Sequence, residues 1–164
     1  MNKRDANRIA ALLKNASRIL ITAHRDPDGD SVGCQLAFYE YWTKQLKKKA
    51  DVINHGVLPR KYEFLDRRGI IKSPAQFKRK PKWDAAVIFE CSALDRIGSV
   101  ADMVPDGLPI VNIDHHQRNT SFGAVNVLNC KAAACGEMVY NLLRLQKANI
   151  TPKMAQRPGT APLS

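Results

Sequence analysis

Short apolar runs alternate along this chain with stretches of helical spacing, and that alternation limits the fold more than any other feature. "RILITAH" (18–24), "ADVINH" (50–55), "DAAVIFECS" (84–92), "LPIVNIDHH" (108–116) and "FGAVNVLN" (122–129) read as strands. Between and around them, "MNKRDANRIAALLKN" (1–15), "SVGCQLAFYEYWTKQLKKK" (31–49) and "AAACGEMVYNLLRLQKAN" (132–149) read as amphipathic helices, with apolar residues three and four apart. "PRKYEFLDRRG" (59–69) and the segment around Leu94–Met103 read as shorter helical pieces, and "SPAQFKRKPKW" (73–83) as loop. Strands separated by helices build βαβ units. Strands apolar along their whole length are those covered on both faces. The expectation is therefore an α/β fold: a mostly parallel sheet with helices on both faces.

A chain of 164 residues holds one core comfortably and two poorly. One domain over 1–150 is expected, followed by a disordered tail over 151–164, where proline and glycine replace the apolar pattern. No stretch reaches the ~18 apolar residues of a membrane span, and the first helix lacks the apolar core of a signal peptide. A cytoplasmic protein with no membrane partner is the default expectation. Cys34, Cys91, Cys130 and Cys135 form no CxxC pair and read as reduced, structural thiols. The formal net charge of +11 points to anionic partners, although "TKQLKKK" reads as a plain solvated helix end.

In an open parallel sheet, ligands bind beyond the carboxyl ends of the strands. There the chain places His24 followed by Asp26, Asp28 and Asp30, then Glu90, then Asp114-His115-His116. Taken singly, these have ordinary explanations. In "DPDGD" proline presets φ, glycine takes positive φ, and Asp30 before Ser31 reads as a helix N-cap. Three strand ends together call for a shared purpose. A dinucleotide site fails, because "DPDGDSVG" lacks GxGxxG and sets carboxylates where a pyrophosphate would lie. Acids that face a phosphate need cations between them. Carboxylate and imidazole donors suit Mn²⁺, Mg²⁺ or Fe²⁺, and no cysteine is spaced for a zinc thiolate site. The surplus of acids suggests two ions about 3.5–4 Å apart, which activate a water to attack phosphorus.

At these residues the chain resembles the DHH phosphoesterases, and within them the bacterial branch of oligoribonucleases and 3′-phosphoadenosine 5′-phosphate (pAp) phosphatases. "HRDPDGDSVG", "VIFECSALDRIG" and "VNIDHHQRNTSFGAVN" match the family's three motifs in order, and "INHGVLPRKYEFL" its connecting segment. The resemblance implies a Rossmann-like domain with two Mn²⁺ ions, Mg²⁺ being the substitute. It makes His24 and Asp28 ligands of one ion, Asp30 and His115 ligands of the other, and position 90 the bridge. Asp114 would orient the histidine pair, and His116 would stand by the scissile phosphate. Arg118 and Asn119 are expected phosphate contacts.

Two departures stand out. The family carries Asp where this chain has Glu90, and a carboxylate misplaced by about 1 Å can cost about 10²-fold in rate. The family also continues into a further metal-binding Asp and a glycine-rich second domain, DHHA1. No acid follows Glu137 here and no Gly-Gly pair occurs. A chain shortened by a frameshift or early stop is therefore expected. The implied function is metal-dependent hydrolysis of short oligoribonucleotides or pAp, with weak or no activity in so short a chain. The implied partners are short RNA or a nucleotide, with a homodimer as the candidate assembly. Cyclic dinucleotides and single-stranded DNA stay open as substrates. The alternative is a non-catalytic metal- or nucleotide-binding remnant. A basic nucleic-acid module resting on "KRKPKW" lacks interleaved aromatics.

Overall fold

The computed structural model describes residues 1–152 and 154. Six strands form one sheet: β1 (Arg18–Ala23), β2 (Lys49–Ile53), β3 (Ile71–Lys72), β4 (Ala85–Phe89), β5 (Ile110–Asp114) and β6 (Val125–Leu128). Their order is β3-β2-β1-β4-β5-β6, and every pairing is parallel. The chain moves outward from β1 to β3, then returns to the centre at β4. The strand order thus reverses between β1 and β4, where an open parallel sheet leaves a crevice beyond its carboxyl ends. Asp84 fixes the opposite end of this junction. Its carboxylate accepts from the amides of Ser17 (2.7 Å) and Arg18 (2.9 Å), which aligns β4 with β1.

Each central strand is buried along its length because both faces are covered. On one face α1 (Lys3–Leu13), α2 (Gly29–Glu40) and α3 (Cys135–Leu145) cover Ile19, Ile21, Val87, Phe89, Val111 and Ile113. On the other, Ile97, Val100 and Met103 cover Leu20, Ala86, Ile88 and Ile110. The second layer is not an α-helix. Leu94–Met103 is a run of 3₁₀ turns kinked at Gly98, where φ is 61° and ψ is −139°. A Cβ at Gly98 would lie 2.7 Å from Cγ of His55, so both the backbone and the imbalance of space demand glycine. Gly98→Ala is expected to cost about 1–3 kcal/mol, read as a lowered melting temperature; an unchanged melt would show that His55 yields freely.

Several sequence expectations shift at their edges. The helix expected to reach residue 49 ends as α2 at Glu40 and passes through one π-turn, Tyr41–Gln45. Lys47 then takes a left-handed φ of 57°, and Lys49 already pairs as the first residue of β2. Lys48 is accordingly no solvated helix end: its ammonium reaches the carbonyl of Lys14 at 2.9 Å and lies over the Trp42 ring. The helix expected over 59–69 is a single 3₁₀ turn, Arg60–Tyr62, held by Tyr62 and Leu65 in a small core of their own. β3 was not foreseen. Two residues carry no period, and the strand exists because buried Asp66 collects the amides of Ile70 and Ile71. Within the tail expected over 151–164, Met154 is buried in the main core and its amide donates to Thr151 Oγ1; residues 153 and 155–164 lie outside the described residues. All four cysteines are free. Among the described residues no helix is long and apolar enough to cross a membrane.

Candidate metal centre

The loop between β1 and α2 sets its three aspartates in different surroundings. Asp28, not Asp30, is the N-cap of α2: its Oδ1 accepts from the Ser31 amide at 2.8 Å, while Ser31 Oγ accepts from the Asp28 amide at 3.0 Å. Gly29 needs no positive φ, since it is the first residue of the helix. Asp30 is buried inside the first turn and points across to α3. There Cys135 donates its amide to Asp30 Oδ2 (2.7 Å) and Gly136 to Oδ1 (2.8 Å), and the Cys34 thiol donates to Oδ1 from 3.7 Å. A helix N-terminus carries partial positive charge and unpaired amides, so it holds a buried carboxylate without a counter-ion. Asp26 faces outward with its side chain 86% exposed.

Glu90 follows β4 and leaves the sheet with φ 53°. A left-handed non-glycine residue of this kind is held against its preference. The turn delivers the Glu90 carboxylate to the centre of the crevice, buried, with Oε1 3.2 Å from His115 Nε2 and Oε2 4.0 Å from His24 Nε2. His115 is aimed from behind, its Nδ1 lying 3.3 Å from the Ala132 carbonyl.

Two ligand groups result. His24, Asp28 and Glu90 form one, and Asp30, Glu90 and His115 the other, each with donor atoms within 4.8 Å of one another. The five residues picked from the sequence are brought together, and Glu90 belongs to both groups. Burial, with the nearby charges of Asp30, Cys135 and Asp28, pushes the Glu90 carboxyl up to about 11. Without a cation, then, a proton takes its place. Burial also lowers the His24 pKa, against the pull of Asp28 and with help from Arg96, which favours the neutral imidazole, the form that coordinates a metal. Burial acts to raise Asp28, but the Ser31 amide and His24 outweigh it and hold Asp28 below the usual carboxylate range. Glu90 Oε2 and His24 Nδ1 are buried without any hydrogen-bond partner. Buried polar atoms are rarely orphaned. Oxygen and imidazole donors with orphaned atoms among them fit a hard or borderline divalent cation.

Beside this cluster, Asp114 is wholly buried. Its Oδ1 accepts from His116 Nδ1 at 2.6 Å and from the His116 amide at 3.2 Å, and its Oδ2 accepts from Asn119 Nδ2 at 2.7 Å. It therefore orients His116 alone and not both histidines. His116 is half-exposed, with Nε2 turned outward and its tautomer fixed by the bond at Nδ1. Asn119, expected to face phosphate, is engaged within the protein. Nδ2 also donates to the Cys91 carbonyl, and Oδ1 accepts from the Ser121 amide, so it positions Asp114. Arg118 is exposed. Sequence reasoning missed the α3 amides, Asn119 as a brace, and Arg96; only Arg96 carried a signal, as a cation six residues past Glu90.

The chain is similar to known proteins in sequence and in fold. The sequence model of the DHH family N-terminal domain matches residues 18–159. The chain is 31% identical over 137 residues to the bifunctional oligoribonuclease and PAP phosphatase NrnA of Thermus thermophilus, an alignment spanning 84% of this chain and 40% of that protein. It thus covers well under half the length of that relative. Its fold matches an exopolyphosphatase-related protein from Bacteroides fragilis with a TM-score of 0.87 at 20% identity, covering 98% of this chain and 49% of the other; at that identity the likeness speaks to the fold. With the family's sequence pattern running through the strand ends that carry its acids and histidines, the chain belongs to the DHH family, matching that family's N-terminal domain.

Proposed function

We propose that this chain is the metal-dependent catalytic domain of a phosphoesterase that hydrolyses short oligoribonucleotides or pAp. The observation that carries the reading is the shared Glu90: one buried carboxylate within reach of two ligand groups, beside an Asp114–His116 pair that turns an imidazole to solvent. The named activities of the Thermus relative support the same substrate class. His24, Asp28 and Glu90 would hold one divalent cation, and Asp30, Glu90 and His115 a second, Mn²⁺ or Mg²⁺ by donor type. Bound there, such a pair supplies Lewis acidity, acidifying a water and drawing charge from a phosphoryl oxygen. The chain's own residues do the remainder. Buried Asp114 holds the Nδ1 side of His116, so a proton taken up at the outward Nε2 is positioned for transfer to the leaving oxygen. Asn119 and the His116 amide keep Asp114 from turning.

Mn²⁺-dependent release of mononucleotide from an RNA of two to five residues tests this. Asp28→Ala and His115→Ala are each expected to reduce the rate by at least about 10²-fold, as loss of a ligand or its support does. Equal rates for wild type and both variants would overturn it. A second reading, metal and nucleotide binding without turnover, is favoured by one feature: the longer Glu90 at a position where the family has Asp. Manganese binding with no release of product would establish that reading instead.

A further inference from the structure

Three loops on the β2–β1–β4 side of the crevice are tied together by bonds that the ligand cluster does not use. The Arg25 amide, after β1, donates to the Arg96 carbonyl, after β4, at 2.7 Å. His55, after β2, packs against Gly98, where a Cβ would lie 2.8 Å from its Nδ1. Its Nδ1 accepts from the Ser99 amide at 3.1 Å and sits 2.9 Å from Ser99 Oγ. An amide can only donate, so Nδ1 is the acceptor and Nε2 carries the hydrogen. That Nε2–H is exposed and has no partner among the described residues. β2 is held in place just before it, because buried Asn54 and Gln35 exchange two amide hydrogen bonds of 2.6 and 3.0 Å. The imidazole therefore stands on a rigid mount.

Arg96 shares this rim. Its guanidinium is exposed and makes no ion pair or hydrogen bond among the described residues, yet its charge is felt at His24. Arg25 is partly neutralised by Asp26 at 3.9 Å, which leaves Arg96 as the free cation. Strands in a sheet lie about 4.8 Å apart, so the end of β2 stands about one strand spacing beyond His24. That places His55 beside the ligand cluster and not within it.

We propose that Arg96 and the outward Nε2–H of His55 form a second phosphate subsite, which holds the non-reacting phosphate of a substrate carrying two phosphate groups. This rests on the phosphoesterase reading above and adds to it a preference by charge and length. A guanidinium and a neutral N–H suit a phosphate dianion or diester through charge-assisted hydrogen bonds. The backbone that bears both is fixed in advance, so binding has chiefly the Arg96 side chain to order.

The test is calorimetric binding to the 164-residue chain, with Ca²⁺ in the buffer to limit turnover. The ligands are adenosine 3′,5′-bisphosphate, adenosine 3′-monophosphate and adenosine 5′-monophosphate. Wild type is expected to bind the bisphosphate about 10-fold tighter than either monophosphate, the effect of one or two charge-assisted bonds. His55→Asn retains an acceptor near the Nδ1 position for Ser99 and removes the outward donor. Arg96→Gln retains the carbonyl bonded to Arg25. Each variant is expected to bring the bisphosphate within about 2-fold of the monophosphates, with the melting temperature unchanged and Mn²⁺ still bound. A bisphosphate advantage that persists in both variants, or is absent from wild type, overturns the subsite. Failure of the wild-type chain to bind Mn²⁺ would overturn the phosphoesterase reading itself, and so the two failures are told apart.

Discussion

Asp30→Asn is expected to remove about 2–4 kcal/mol of folding stability, together with Mn²⁺ binding at the group formed by Asp30, Glu90 and His115. Both Asp30 oxygens accept backbone amides from the first turn of α3. An asparagine must turn its NH₂ toward one of those N–H groups, leaving two donors face to face in a buried place. It also removes the negative charge that complements the α3 dipole. Urea unfolding in the presence of EDTA isolates this effect from metal loss, and an unchanged midpoint would show that α3 is anchored by its apolar face alone. Asp28→Asn is the contrast. Asparagine caps helices as well as aspartate does, so the metal-free protein should keep its stability within about 0.5 kcal/mol while its affinity for Mn²⁺ falls.

This contrast shows what the sequence could disclose and what it could not. Residue types and strand ends were enough to gather the acids and histidines of this edge, because an open parallel sheet brings its carboxyl ends together whatever the loops do, and the family resemblance singled out His24, Asp28, Asp30, Glu90 and His115 among them. The division of labour within "DPDGD" was hidden. Asp30 looked like the cap because it precedes Ser31, but the capping residue is set by where α2 begins, and the partners of Asp30 lie 105 and 106 residues away. Asn119 suffered the same fate. Near a histidine pair it resembled a phosphate contact, while its actual partners are Asp114 and the carbonyl of Cys91, which the sheet brings alongside. β3 escaped because its cause is one buried carboxylate, Asp66, and not a periodic pattern. The apolar strands were legible because burial on both faces writes itself into every residue.

Glu90→Gln is expected to stabilise the metal-free protein at neutral pH while abolishing paired metal binding. The Glu90 carboxyl is pushed to about 11 by burial and by Asp30, Cys135 and Asp28, from an ordinary value of 4.5. In that window the folded chain holds a proton that the unfolded chain has released. Folding therefore takes up a proton, and stability from this group is full below about pH 4.5 and declines as pH rises toward 11. The limit is about 1.4 kcal/mol per pH unit, and relaxation of the site reduces it, so a neutral glutamine should gain on the order of 2 kcal/mol at pH 7. His24 works the other way. Its lowered pKa makes stability fall as pH drops below its unfolded value, so the difference between Glu90→Gln and wild type, rather than either curve alone, reads Glu90. Chemical unfolding in EDTA from pH 5 to 9 should show the two curves diverging as pH rises. Added Mn²⁺ should abolish the divergence by raising the wild type, since a cation does for three crowded carboxylates what the proton did. Parallel curves in EDTA would mean that Glu90 is ionised without metal, and the crowding of acids at this sheet edge would then lose its role in drawing cations to the site.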